Sequence, residues 1–119
     1  VIRKFKINDT EYEVVIPVRT PTSIADVRKD VETLFIAQDK LIDVIARLKV
    51  KKTIVYNNKK AEYLSFSPTK TEAKEALRHD PDVETLETAI ERAIHYHEMV
   101  TNLIAWYRSL HSSYSKELA

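Results

Sequence analysis

No glycine occurs anywhere in the 119 residues of this chain, where average usage of about 7% would give roughly eight. Glycine alone enters left-handed backbone conformations without steric cost. Gly-rich phosphate loops, nucleophile elbows and Rossmann turns depend on that freedom, so the common nucleotide-binding and hydrolase motifs are excluded, and an enzyme is not expected. Turns must be made by Asn, Asp and Pro. That requirement fits a single domain of few, long elements.

The stretch from Val1 to Val18 alternates apolar and polar residues on either side of Asn8-Asp9, and so predicts a β-hairpin at 1–18. An isolated two-stranded hairpin is marginal in water, so it must lie on a helix or join a neighbouring subunit's strands. Thr20-Pro21-Thr22-Ser23 then breaks the strand, and Ser23 followed by Asp26 resembles a capping box with Asp in place of Glu. From there Val31, Leu34, Gln38, Leu41, Ile45, Leu48, Lys52 and Val55 recur at alternating three- and four-residue spacing, a helical seam with two polar interruptions. Beyond Leu48 two readings stand. Thr53-Ile54-Val55 is β-branched and Asn57-Asn58 could turn a second hairpin through Ala61 to Phe66. Alternatively the seam phase carries the helix on to about Ser65, at a length of roughly 65 Å.

Ser67-Pro68 ends that element and can also open a short helix over 68–79, while Asp80-Pro81 opens a last one over 81–118. In this last element Leu86, Ile90, Ala93, His97, Val100, Ile104, Tyr107, His111, Tyr114 and Leu118 form a seam. A second stripe, Tyr96, Met99, Leu103, Trp106 and Leu110, runs beside it. Such an arc is too wide for one partner helix, so the second stripe is predicted to be an oligomer interface.

The charge is unevenly placed. Arg47, Lys49, Lys51, Lys52, Lys59 and Lys60 fall in one acid-free stretch of a chain whose formal net charge is +1. With Tyr56 and Tyr63 beside them, they are the candidate nucleic-acid contacts: cations for phosphates, rings for unpaired bases. The plainer alternative is a solvated face on a charged helix. Asp80 to Glu98 carries the opposite sign and could face the basic block in the same or a neighbouring subunit. Glu84, Glu87, Glu91 and His95 share a helical face but lack the Glu-x-x-His pattern of carboxylate-bridged metal sites, so neither metal nor cofactor is expected. There is no cysteine, and no apolar run reaches the roughly 20 residues of a membrane span, so a soluble protein is expected.

Residues from about 30 onward resemble the UvsY family of phage recombination mediators. The similar features are a long first helix, the Lys-rich Asn58-Lys59-Lys60-Ala61-Glu62-Tyr63-Leu64-Ser65 segment, a short helix, Asp80-Pro81-Asp82-Val83, and a long closing helix with Arg108 near its end. The family's Lys-Ala-Arg-Leu-Asp-Tyr-type motif lays its arginine on Lys60 and its acid on Glu62, while its lysine falls on Asn58. The resemblance implies a helical Lys-rich segment, hence a first helix over 23–65. It also implies single-stranded DNA binding, a ring-like homo-oligomer, and contacts with a RecA-like recombinase and a single-strand-binding protein. Catalysis is not implied, and a phage-encoded protein of this kind would work in the host cytoplasm. The expected fold is thus mainly α, a long helical hairpin with a short connecting helix and an N-terminal β-hairpin, in an oligomer. Two other classes remain open at this level: a protein-only phage assembly factor and a small metal-binding helical enzyme.

Overall fold

The computed structural model describes Ile2–Lys6, Glu13–Pro17 and 20–118; the Asn8-Asp9 turn and the side chains of Tyr114 and Leu118 lie outside the described set. In chain order the elements are β1 (Ile2–Lys6), β2 (Glu13–Pro17), α1 (Ile24–Phe66), α2 (Lys70–Arg78) and α3 (Pro81–Leu118). The protein is mainly helical. Two helices of 43 and 38 residues dominate it, and its radius of gyration of 20.2 Å exceeds the roughly 13.5 Å of a compact domain of this length.

Each helix starts where its side chains supply an acceptor for otherwise unpaired N–H groups. Ser23 Oγ accepts from Asp26 N at 3.2 Å. Asp26, one methylene shorter than the usual Glu, reaches back to Thr22 rather than to Ser23, accepting from its hydroxyl at 3.1 Å and its backbone N–H at 3.4 Å. Pro68 cannot continue α1, and Thr69 rather than Ser67 caps α2, accepting from Glu72 N at 3.1 Å. Asp80 caps α3, its Oδ1 accepting from the N–H groups of Asp82 at 2.9 Å and Val83 at 3.2 Å.

The segment with two readings, Thr53 to Phe66, is helical throughout, and no residue among those described has positive φ of the kind an Asn-Asn hairpin turn needs. The β-branched residues cost only a fraction of a kcal/mol each in a helix. Tertiary contacts outweigh this: Val55 packs on the core and Lys52 meets Glu87 of α3; within the helix, Thr53 Oγ1 donates to Lys49 O at 3.0 Å.

Helices α1 and α3 lie side by side and antiparallel. Tyr107 OH donates to Asp30 Oδ2 at 3.1 Å, Gln38 Nε2 to Thr101 Oγ1 at 3.2 Å, and Lys52 Nζ lies 3.0 Å from Glu87 Oε1. As numbering rises along α1 it falls along α3. Between them Leu34, Ala37, Leu41, Val44 and Leu48 are buried against Leu86, Ile90, Ala93, Val100, Ile104 and Tyr107. The α1 seam therefore sits about one residue off the predicted line: Asp30, Ala37 and Val44 are fully enclosed, whereas Val31, Gln38 and Ile45 flank them half-buried. A second element also covers α1. β2 pairs antiparallel with β1, Ile2 opposite Pro17 and Lys6 opposite Glu13, and sends alternate residues Val14 and Ile16 into the same core beside Val27.

Candidate nucleic-acid interface

The basic block occupies one unbroken helical segment, but at 100° per residue its members do not share a face. Lys59 and Tyr63 turn inward toward the start of α3. Lys59 Nζ lies 2.9 Å from both carboxylate oxygens of Asp80 and 2.6 Å from Asp82 Oδ2, and Tyr63 OH donates to Asp80 Oδ2 at 2.7 Å. The Asp80 residue is only 4% exposed. Its carboxyl is held down at about 2, from an ordinary 3.8, chiefly by the Lys59 hydrogen bond, then by the Tyr63 hydroxyl, against the opposing effect of desolvation. The same contacts, with Asp82 first, push the Lys59 ammonium above its ordinary value. The bond to Asp80 raises the Tyr63 phenol, keeping it protonated and donating. This four-residue clasp ties the end of α1 to the head of α3.

The remaining basic residues divide between two flanks. Arg47 and Lys51 border an apolar hollow of about 360 Å³ with Ala46, Val50 and Ile54. Arg47 also makes an exposed i,i+4 pair with Asp43 at 3.0 Å, of a kind worth about 0.3–0.5 kcal/mol. On the other flank lie Lys49, Thr53, Tyr56 and Lys60, recurring every three or four residues. Lys49, Lys52, Thr53, Tyr56 and Ile90 line a hollow of about 460 Å³ between α1 and α3. One turn further on, Lys60 and Leu64 of α1 meet Lys70, Ala73, Lys74 and Leu77 of α2 around a second hollow of about 310 Å³. Lys70 and Lys74 lie outside the basic block, and nothing in the linear charge pattern singles them out. Their i,i+4 spacing on an amphipathic helix beside Lys60 is the signal that could have found them.

Of the residues expected at an oligomer contact, Tyr96, Met99, Leu103 and Leu110 are partly buried against the chain's own core, while Trp106 remains 44% exposed. Its ring stands edge-on to buried Tyr107, centroids 5.0 Å apart. Arg108 lies over the Phe35 ring at 5.5 Å. The outer side of α1 carries a short apolar row, Val50 and Ile54, each more than half exposed, as is Ile36 about 21 Å away along the axis beyond Asp43 and Arg47. Among the acidic residues on α3, Glu87 is engaged by Lys52, and Glu84 Oε1 lies 3.4 Å from His79 Nδ1. Among the described residues no three His, Cys, Asp or Glu side chains are grouped to hold a metal ion.

No family model, curated protein or solved structure matches the chain. Among the described residues no helix is long and apolar enough to cross a membrane.

Proposed function

We propose that this protein is a non-catalytic, oligomeric binder of single-stranded DNA that acts as a recombination mediator, helping to load a RecA-like recombinase in the host cytoplasm. The observation that carries the binding half is the Lys49–Tyr56–Lys60 flank of α1. There, cations and an aromatic ring border shallow hollows with apolar walls, and Lys49 and Lys60 have no ion-pair partner among the described residues. Phosphates meet the ammonium groups and bases meet Tyr56. Neither contact reads sequence. Lys52, half-exposed and paired with Glu87, sits at the border of this flank and contributes where a phosphate displaces the carboxylate. The recombinase and single-strand-binding partners rest on the resemblance of the Lys-rich segment and its flanking elements to the UvsY family.

Self-association is supported by the exposed Val50 and Ile54, which with Ala46 wall an apolar hollow, and by Trp106. Charge favours a head-to-tail contact: Arg47 and Lys51 flank the apolar row of α1, whereas Glu91 and Glu98 are exposed on α3 beside Ile94. A contact between unlike faces closes into a ring where its rotation permits, and repeats the Lys49–Lys60 flank once per subunit. The same exposed row supports the second reading, a protein-only assembly factor. Fluorescence anisotropy with a labelled 30-nucleotide strand at 50 and 200 mM salt, alongside light scattering, separates them. Salt-sensitive binding by an oligomer is the expected result; an oligomer with no binding at 50 mM leaves the assembly factor in possession.

A further inference from the structure

We infer that the hollow between the end of α1 and α2 is a binding site for one nucleotide unit of a single strand: Lys60, Lys70 and Lys74 take its phosphate, and Leu64 with the aliphatic stems of the lysines takes the face of its base. The inference rests on the nucleic-acid reading above and extends it to α2, an element outside the basic block.

Three features of the hollow point this way. Its rim is of one sign. Lysines from two helices border it, and no carboxylate is among the lining residues although α2 itself carries Glu72 and Glu75. Like charges gathered at one opening repel, and an anion between them relieves that repulsion. Second, one side of the hollow is apolar, where Leu64 is 40% exposed next to buried Ala73 and Leu77, so an inorganic anion would leave that side uncovered. A nucleotide presents both a phosphate and a π face. The volume of about 310 Å³ lies at the lower end of small-ligand pockets, about 300–1,000 Å³, which suits a single unit. Third, Lys60 belongs to this hollow and to the α1 flank at once. Lys49 and Lys60 are about 16 Å apart along the helix axis at 1.5 Å per residue, so a strand lying along Lys49 and Tyr56 arrives at the α2 hollow. The lining holds no side-chain hydrogen-bonding group other than the lysines, so the site distinguishes nucleotide from free phosphate without distinguishing one base from another.

The test is lysine acetylation footprinting of the intact wild-type protein, read by mass spectrometry, with and without a 30-nucleotide thymidylate strand. A parallel arm uses inorganic phosphate at matched ionic strength. Acetylation of Lys60, Lys70 and Lys74 is expected to slow severalfold with the strand, not with phosphate, while exposed Lys29 is unchanged in both. In a second measurement Lys70→Gln with Lys74→Gln lowers the slope of log K against log salt by about 0.7 to 1.4, one or two single-strand phosphate contacts, and Lys70→Arg with Lys74→Arg retains it. Unchanged acetylation of Lys70 and Lys74 in a complex shown by anisotropy to be formed overturns this inference and leaves the α1 reading standing. Equal protection by inorganic phosphate overturns the nucleotide assignment. Absence of any strand binding overturns both readings. The footprint needs no variant, so it decides even where a substitution impairs folding.

Discussion

Lys59 and Lys60 are neighbours in sequence, and the structure sets them in opposite surroundings. Successive helical residues project about 100° apart, and that rotation carries Lys59 into the Asp80–Asp82–Tyr63 clasp while Lys60 faces the open flank. Replacing Lys60 by Ala should remove one phosphate contact and lower the single-strand salt slope by about 0.7. Between 50 and 200 mM, a fourfold change in salt, the wild-type loss of affinity then exceeds the variant's by about 2.6-fold, which is four raised to the power 0.7. Its thermal midpoint should not move, because Lys60 is exposed and has no partner among the described residues. Lys59→Ala should do the reverse. It leaves the enclosed Asp80 carboxylate without its principal cation, so the midpoint falls while the salt slope stays at the wild-type value. The assay is anisotropy titration across five salt concentrations paired with a melt followed by circular dichroism. Equal slope losses in the two variants would refute the division, since both lysines would then be meeting phosphate.

Three further outcomes follow from the geometry. Tyr107→Phe removes a buried donor to the buried Asp30 carboxylate and should cost about 1.5–3 kcal/mol, the usual worth of a hydrogen bond to a charged group, in urea unfolding; a loss below about 0.5 kcal/mol, the floor for any intramolecular hydrogen bond, would show that Asp30 is adequately satisfied without it. Because the folded Asp80 carboxyl titrates at about 2 instead of 3.8, its stabilisation is present above pH 4 and is lost as pH falls through about 2. The gap in melting temperature between wild type and Asp80→Asn should therefore be open at pH 5 and close toward pH 2, and a gap that persists at pH 2 would assign the clasp's strength to something other than this charge. Ile54→Glu places a charge in the exposed α1 row without touching the core, and light scattering should show a smaller assembly with unchanged helical content; an unchanged mass would place the subunit contact elsewhere.

Apolar spacing carried most of the architecture. Leu34, Leu41 and Leu48 on α1, and Leu86, Ile90, Ala93, Val100, Ile104 and Tyr107 on α3, were readable as one seam each and are enclosed together. Spacing could not say which neighbouring row on α1 would be enclosed with the leucines. Ala37 and Val44 are smaller than Gln38 and Ile45 and free of polar groups to satisfy, and Val14 and Ile16 of β2 join the same core. A periodicity argument treats one helix and one partner, whereas α1 is packed by both α3 and β2. The breadth of the α3 stripe was legible for the same reason and assigned differently. Tyr96, Met99, Leu103 and Leu110 are half-covered within the chain, and Trp106 is the most open of the five.

Charge was the less legible property, because a count along the chain cannot tell a cation that meets solvent from one held by a distant acid. The two polar interruptions in the α1 seam held the information needed. Gln38 meets Thr101 and Lys52 meets Glu87, so each interruption is a register mark across the antiparallel pair. Carried seven residues further along α1 and seven back along α3, the Lys52–Glu87 register puts Lys59 opposite Asp80, which is where the clasp forms. Asp80-Pro81 reads in sequence as a helix cap alone. Yet a cap carboxylate enclosed between two helices needs a counter-charge from the opposite one, and the antiparallel register nominates only the inward-facing lysine of the adjacent pair. Lys60 is thereby left to the surface, where Lys70 and Lys74 of α2 meet it. The same contact that subtracts Lys59 and Tyr63 from the basic face fixes the end of α1 against the head of α3.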